Sequence, residues 1–447
     1  MKHHHAHHTP TRQSGCAEFK SLNRKGMGLT SSGFSRRTFL KAAGVGSGLL
    51  LTESVFKQPL PFLAFAQEQR QADTLVVIFL RGGMDSLNAV VPYGEGGNYY
   101  DKRPNIAIGD GSVLDLDGFF GFHPAMAPLH EVYQNGKLAI VHAAGSPDPS
   151  RSHFDAMEYM ERGTPGIKVT DTGWITRHLQ SVPWVNDSPF RAIGMGTMVQ
   201  SALRGPISAL AMQSLGEFHL AGPDHQMQVL QRTLAQLYKA SNPQTFLEQQ
   251  AKSTLNTMSY LSRLAAEEYT PSYDAQYPDS GFGHSLKQVA QLIKANVGLE
   301  VACVDFGGWD THEQQGGTEG QFANLLSELS QGIAAFHQDM QDQMNDLTLV
   351  TMSEFGRRLE ENASSGTDHG HGGTMLVLGG GVNGGIHTSW PTLNPEALDE
   401  GDLEITTDFR DVLGEILTQR LSNTALDQVF PNYSANIRGI LNSRGVS

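Results

Sequence analysis

The sequence predicts an α/β fold, with a mostly parallel sheet covered by helices on both faces. Three observations carry that expectation. Short apolar runs at residues 74–80, 137–143, 299–306, 347–352 and 374–378 are bounded by polar, glycine-bearing sequence, as buried strands are. Between them, residues 124–136, 154–162, 286–295, 321–344 and 408–421 carry apolar side chains at helical spacing. Strand and helix therefore alternate, the order that builds a parallel sheet with crossover helices. The length of 447 residues, 39% of them hydrophobic and 17% charged, suffices for one large α/β domain or two smaller ones.

The first 66 residues stand apart. SRRTFLK at 35–41 precedes a mildly apolar, glycine-containing run at 42–51, and Ala64-Phe65-Ala66 stands before Gln67. Paired Arg36 and Arg37 with Phe39 and Leu40, a short apolar core and a small-x-small site resemble a twin-arginine export signal closely. The core is too short to cross a bilayer, so no transmembrane span is expected. The histidine-rich stretch from His3 to His8 lies ahead of the signal and reads as a polar leader. The formal charge of −14 argues against nucleic acid as a partner, because phosphate binding needs a basic face. Removal of 1–66 takes Cys16 and leaves Cys303, so no intrachain disulfide is expected in the exported chain. The expected division is a signal at 1–66 and one α/β unit at 67–447. A helical cap or insertion is expected at about 200–280, where 226–266 is leucine-bearing and broken by Pro243.

The residues suited to chemistry recur at one kind of place. The strand at 74–80 runs into RGGMDSLN (81–88), which places Arg81 and Asp85 beyond its end. The strand at 137–143 opens into a loop carrying Ser150, Arg151, Ser152 and His153 around the start of the next helix. GGWDTHE (307–313) follows 299–306 with Asp310 and His312. SEFGRR (353–358) follows 347–352 with Glu354, and TDHGHGG (367–373) adds Asp368, His369 and His371. Parallel strands end on one edge of a sheet, where ligands of open α/β folds sit. Carboxylates and imidazoles without thiolate suit one or two divalent ions, Zn, Mn, Mg or Ca. The competing reading is an exposed glycine-rich turn around His369 and a helix cap at Ser150 or Ser152. No Gly-x-Gly-x-x-Gly follows a strand, and GGGVNGG (379–385) opens no predicted helix, which argues against a dinucleotide enzyme.

Five motifs in order, RGGMDSLN, GSPDPSRSHFDAM (145–157), GGWDTHE, SEFGRR and TDHGHGG, resemble the exported bacterial domain-of-unknown-function 1501 family over about residues 74–421. That family is distantly similar to the alkaline phosphatase and sulfatase superfamily. The resemblance implies an alkaline-phosphatase-like, doubly wound fold with two metals at the strand ends. It places Asp310, His312 and a histidine of 368–371 on one ion, and Ser353-Glu354-Phe355-Gly356 where the superfamily has Ser-Asp-His-Gly. Glu354 can bind an ion and Phe355 cannot, while Arg81 stands where the superfamily has a metal-binding aspartate, with Asp85 four residues on. The implied activity is metal-dependent hydrolysis of a phosphate or sulfate ester, on a small molecule or a polysaccharide outside the cytoplasm. Ser152 would be its nucleophile, with Arg151 or Arg81 holding the anion. The alternative is a non-catalytic extracytoplasmic binding protein on the same fold, which Phe355 favours.

Export gives the first prediction. Protein starting at or near Gln67 is expected in the periplasm or medium, and Lys at both Arg36 and Arg37 is expected to leave precursor inside the cell, since the receptor reads the paired guanidinium motif. Cell fractionation with N-terminal sequencing checks it; efficient export of the double variant would remove the signal assignment.

Overall fold

A computed structural model describes residues 72–182, 186, 188–196, 198–216 and 246–444. The expected export signal and residues 217–245 of the expected cap lie outside these residues. Apart from a small separate sheet of Val90–Val91, Leu114–Asp115 and Gly121–Phe122, the strands among the described residues are β1 (Thr74–Arg81), β2 (Leu138–Gly145), β3 (Ala192–Met195), β4 (Leu210–Met212), β5 (Val301–Gly307), β6 (Leu347–Met352), β7 (Arg357–Glu361), β8 (Thr367–His369), β9 (Gly373–Gly379), β10 (Gly385–His387) and β11 (Thr407–Asp408). Nine of them form one sheet in the order β10-β2-β9-β6-β1-β5-β3-β4, with β11 beside β2. β1 lies in its middle, parallel to β5 and β6. The mixed α/β class with a mostly parallel sheet is as the sequence predicts.

Side-chain alternation divides this sheet into two cores. Val76, Ile78 and Leu80 face one side with Ala302, Val304, Leu349 and Leu376, while Leu75, Val77 and Phe79 face the other with Cys303, Val350 and Val377. A strand buried on both faces must be apolar at successive positions, which is why its sequence reads as a continuous run. Helices α1 (Ala127–Gln134), α5 (Gly281–Lys294) and α6 (Gln321–Asp339) cover the first face, and α2 (His153–Arg162), α3 (Trp174–Ser181) and α7 (Phe409–Gln419) the second. The remaining long helix, α4 (Phe246–Ala266), falls within the range of the expected cap.

Two departures from the sequence reading shape the site. Residues 353–372, read as loop, contain the hairpin of β7 and β8, with Arg357 opposite His369. Because this hairpin folds back, the chain enters β9 from the edge at which β6 leaves. β9 therefore runs antiparallel to β6 and β2, which a short connection permits and a crossover does not require. Helix 321–344 also ends earlier than its pattern suggested, at Asp339, followed by a 3-10 turn at Gln341–Asp346.

The turn after β1 needs its glycines. Gly82 has φ 124°, and a Cβ there would lie 2.5 Å from the Asp310 backbone nitrogen. Gly83, at φ 66°, would meet the Phe355 ring at the same distance. The end of β1 is thus pressed against the loops that follow β5 and β6, an approach open to glycine alone.

Two buried histidines set a pH response. Burial lowers His142 to about 4 and, with Arg191 nearby, His178 to about 3. In the unfolded chain both protonate near pH 6.5. Their contribution is therefore full above that value and falls as pH drops, by about 1.4 kcal/mol per unit for each residue until the folded-state value is reached. Denaturant melts at pH 7.5 and 5.5 are expected to show this loss, and His178→Gln is expected to flatten the slope; an unchanged slope would mean His178 does not titrate as described.

Candidate metal centre

Four chain segments meet at the carboxyl edge of the sheet. After β5, Trp309 is buried against Phe306 and Phe322, which fixes the turn and holds Asp310 above the strand ends. α2 starts at His153, with Ser152 at its N-cap position in extended conformation. Glu354 follows β6, and His369 closes β8. The β7–β8 hairpin is tied to the His312 segment by Thr367 N–H donating to Thr311 O and by Asn362 donating to His312 O.

The meeting point is one oxygen. Asp310 Oδ1 lies 3.3 Å from His153 Nε2, 3.1 Å from His312 Nε2, 3.2 Å from His369 Nε2 and 2.8 Å from Arg357 Nη2. His312 and His369 bring their Nε2 atoms to 2.9 Å. The other nitrogen of each ring is anchored: His153 Nδ1 on Glu354 Oε1 at 2.7 Å, His312 Nδ1 on Asp368 Oδ1 at 3.2 Å, and His369 Nδ1 on the Arg151 carbonyl at 2.7 Å. Acceptors on all three Nδ1 atoms turn all three Nε2 atoms inward, the way protein scaffolds aim imidazoles at a metal. A tetrahedral zinc with arms of about 2.0–2.1 Å has ligand-to-ligand edges of about 3.3 Å, so the donors present fit one ion. Among the described residues, His153, Asp310 and His369 are the group whose ligand atoms all lie within 4.8 Å of one another; His312 joins through Asp310 and His369.

Charge follows the same geometry. Burial would raise the Asp310 carboxyl, but His153, His312, His369 and Arg357 hold it well below the usual carboxylate range. Glu354, fully buried, is likewise kept low by His153 and the Gly82 N–H. Burial opposes a proton on His153, yet Asp310 and Glu354 on its two sides raise it to about 9. His369 is lowered, by burial and then by the nearby charges of Arg357 and His153 against the pull of Asp310. Side-chain exposure rises from 0% at His153 and 4% at Asp310 to 14% at His369 and 25% at His312, so the centre opens to solvent past His312.

The family described as "Protein of unknown function (DUF1501)" matches residues 72–423. The chain belongs to that family. No curated protein matches this DUF1501 member. Solved structures similar to it include the lipoteichoic acid synthase LtaP from Listeria monocytogenes, 9% identical over 75% of this chain and 74% of that one, with a TM-score of 0.32. The C-terminal periplasmic domain of EptC from Escherichia coli, solved in complex with Zn, is 9% identical over 82% and 89%, with a TM-score of 0.35. The PsFucS1 sulfatase from Pseudoalteromonas sp. is 10% identical over 87% and 77%, with a TM-score of 0.36. Similarity at this level bears on neither activity nor ligand.

In this DUF1501 chain the structure brings together Asp310, His312, His369 and Glu354, and turns other residues named from sequence elsewhere. Asp85 is fully buried, with Arg103 and Gln315 both donating to its Oδ2 at 2.6 Å, so its charge is taken up inside the core. His371 has Nδ1 on Asp399 and Nε2 on the Ser146 carbonyl; with both nitrogens occupied it has none to offer an ion. Asp368 holds His312 from outside the cluster. Arg81 binds Glu161 and Asp305, and Arg151 binds Asp402 and Glu400, so both guanidinium groups lie against carboxylates of the chain itself. Phe355 packs its ring at 4.9 Å from His153 and 4.8 Å from His369. Sequence reasoning did not assign His153 or Arg357. The available signal was position: His153 starts a helix directly after a strand-end loop, and Arg357 lies in the same motif as Glu354.

A pH-dependent affinity follows. Coordination of an ion by His153 would require loss of the Nε2 proton that Asp310 and Glu354 favour. Zinc affinity is therefore expected to tighten as pH rises from 6 to 9, by roughly tenfold per unit for each proton displaced. Competition titrations against a chelator across that range check this, and a flat profile would exclude His153 from the ligands.

Proposed function

We propose that this protein is an exported, metal-dependent hydrolase of phosphate or sulfate esters, acting in the periplasm or outside the cell. The observation that carries the reading is the inward aim of three imidazoles, each anchored at Nδ1, around Asp310. The nitrogen-rich set favours Zn or Mn over the Mg and Ca also considered from sequence, which take oxygen ligands. An ion there would polarise a phosphoryl or sulfuryl oxygen and lower the pKa of a nearby hydroxyl. Ser152, directly before His153, supplies such a hydroxyl at the start of a ten-residue helix, α2. Its amino-terminal N–H groups favour negative charge developing beside them. Glu354 and Asp368 keep the imidazoles of His153 and His312 aimed, and the buried Phe355 packs against the rings of His153 and His369.

The N-cap position of Ser152 also has a purely structural use, as a cap of α2. Assays of zinc- and manganese-loaded protein on 4-nitrophenyl phosphate, bis(4-nitrophenyl) phosphate and 4-nitrophenyl sulfate test the proposal. Ser152→Ala is expected to lower kcat at least a hundredfold with metal content and melting temperature preserved. Turnover no greater than that of Asp310→Ala on every ester would leave the non-catalytic binding protein as the reading.

A further inference from the structure

We propose that the centre takes a single transition-metal ion, held by His153, Asp310, His312 and His369, and that the Arg357 guanidinium stands where a two-ion site would need its second positive charge. This deepens the metal reading above and rests on it.

His153, Asp310 and His369 bring their ligand atoms within 4.8 Å of one another, and His312 adds a nitrogen 3.1 Å from Asp310 and 2.9 Å from His369, so four donors are at hand, the number a zinc of this type takes. His153 is essential to that count. Its Nδ1 is fixed by Glu354, and Glu354 is in turn fixed by the Gly82 N–H at 2.8 Å. Glu354 thus acts as a positioning residue for an imidazole.

Among the described residues, the groups best placed to serve a second ion are engaged elsewhere. Asp85 Oδ2 accepts from both Arg103 and Gln315. β1 ends in Arg81, held by Glu161 and Asp305. Phe355 offers no donor and lies 3% exposed against the rings of His153 and His369.

Charge points the same way. Arg357 is 1% exposed and places Nη2 2.8 Å from Asp310 Oδ1. One dication set among Asp310, Glu354 and Arg357 leaves a small net charge. A second dication beside the same fixed guanidinium would be uncompensated in a buried setting, where unpaired charge is costly.

Ion counting on the full exported chain decides the matter. Protein stripped with chelator and reloaded with zinc is measured by native mass spectrometry and elemental analysis. One zinc per chain is expected, and cobalt titration is expected to give visible absorption that saturates at one equivalent. His153→Gln and His312→Gln are each expected to weaken zinc at least a hundredfold. Glu354→Gln is expected to weaken it 10- to 100-fold with the count unchanged, as loss of a carboxylate behind a metal-bound histidine does. Two ions per chain would overturn the single-ion proposal while leaving the metal-dependent reading standing. A folded wild type that retains no ion would overturn both. One tightly held ion that survives the combined loss of His153 and His312 would place it elsewhere and overturn the ligand assignment.

Discussion

The buried guanidinium of Arg357 is the interaction on which the carboxyl edge of the sheet depends. Nε donates to the Gly83 carbonyl at 2.6 Å and Nη1 to the Thr367 carbonyl at 2.9 Å. Nη2 reaches the Gly82 and Trp309 carbonyls and the Asp310 carboxylate. One side chain therefore ties together the loops after β1 and β5 and the start of β8. A buried cation is costly unless its donors are all used, so the loops must close around it together. Lysine cannot replace it, because a single ammonium lacks the planar fork that reaches separated acceptors.

The same solution recurs around the centre. Arg103 joins Asp85 to the carbonyls of Arg358 and Leu359 on β7. Asp402, fully buried, receives Arg151 from the loop before α2 and Arg358 from β7. The segments that carry His153, Asp310 and His369 are thus each held by arginine against backbone or carboxylate, and the imidazoles inherit their aim from that frame. An acidic chain with deeply set arginines uses these cations as fasteners, and Arg81 and Arg151 follow the same pattern by pairing with carboxylates of the chain.

Much of the architecture was legible because β1, β5, β6 and β9 are buried on both faces, and such strands must read as unbroken apolar runs. The gathering of Asp310, His312, Glu354 and His369 was legible for a related reason, since strand ends of a parallel sheet share an edge. The antiparallel entry of β9 was not, because direction depends on how the β7–β8 hairpin folds, and that is fixed by contacts with the His312 segment. His153 looked like one polar residue among the serines of its loop; only the position of Glu354, 201 residues later in the chain, marks it out. Asp85 and His371 had the residue types of ligands, but a partner distant in sequence, Gln315 for one and Ser146 for the other, decides their use. Residue type shows what a side chain is able to do. Its neighbours determine which of those uses is realised.

The separation of the five imidazole and carboxylate bearers along the chain also has a kinetic meaning. His153 enters from α2, Asp310 and His312 from beyond β5, Glu354 from beyond β6, and His369 from a hairpin that itself docks on the His312 segment. No contiguous stretch of the chain contains the whole set. The cluster can be assembled only after distant strands have paired in the central sheet, an event of high contact order that comes late in folding. The finished arrangement of imidazoles is accordingly a record that the molecule has reached its native topology, and capture of an ion by it would register completed folding rather than initiate it.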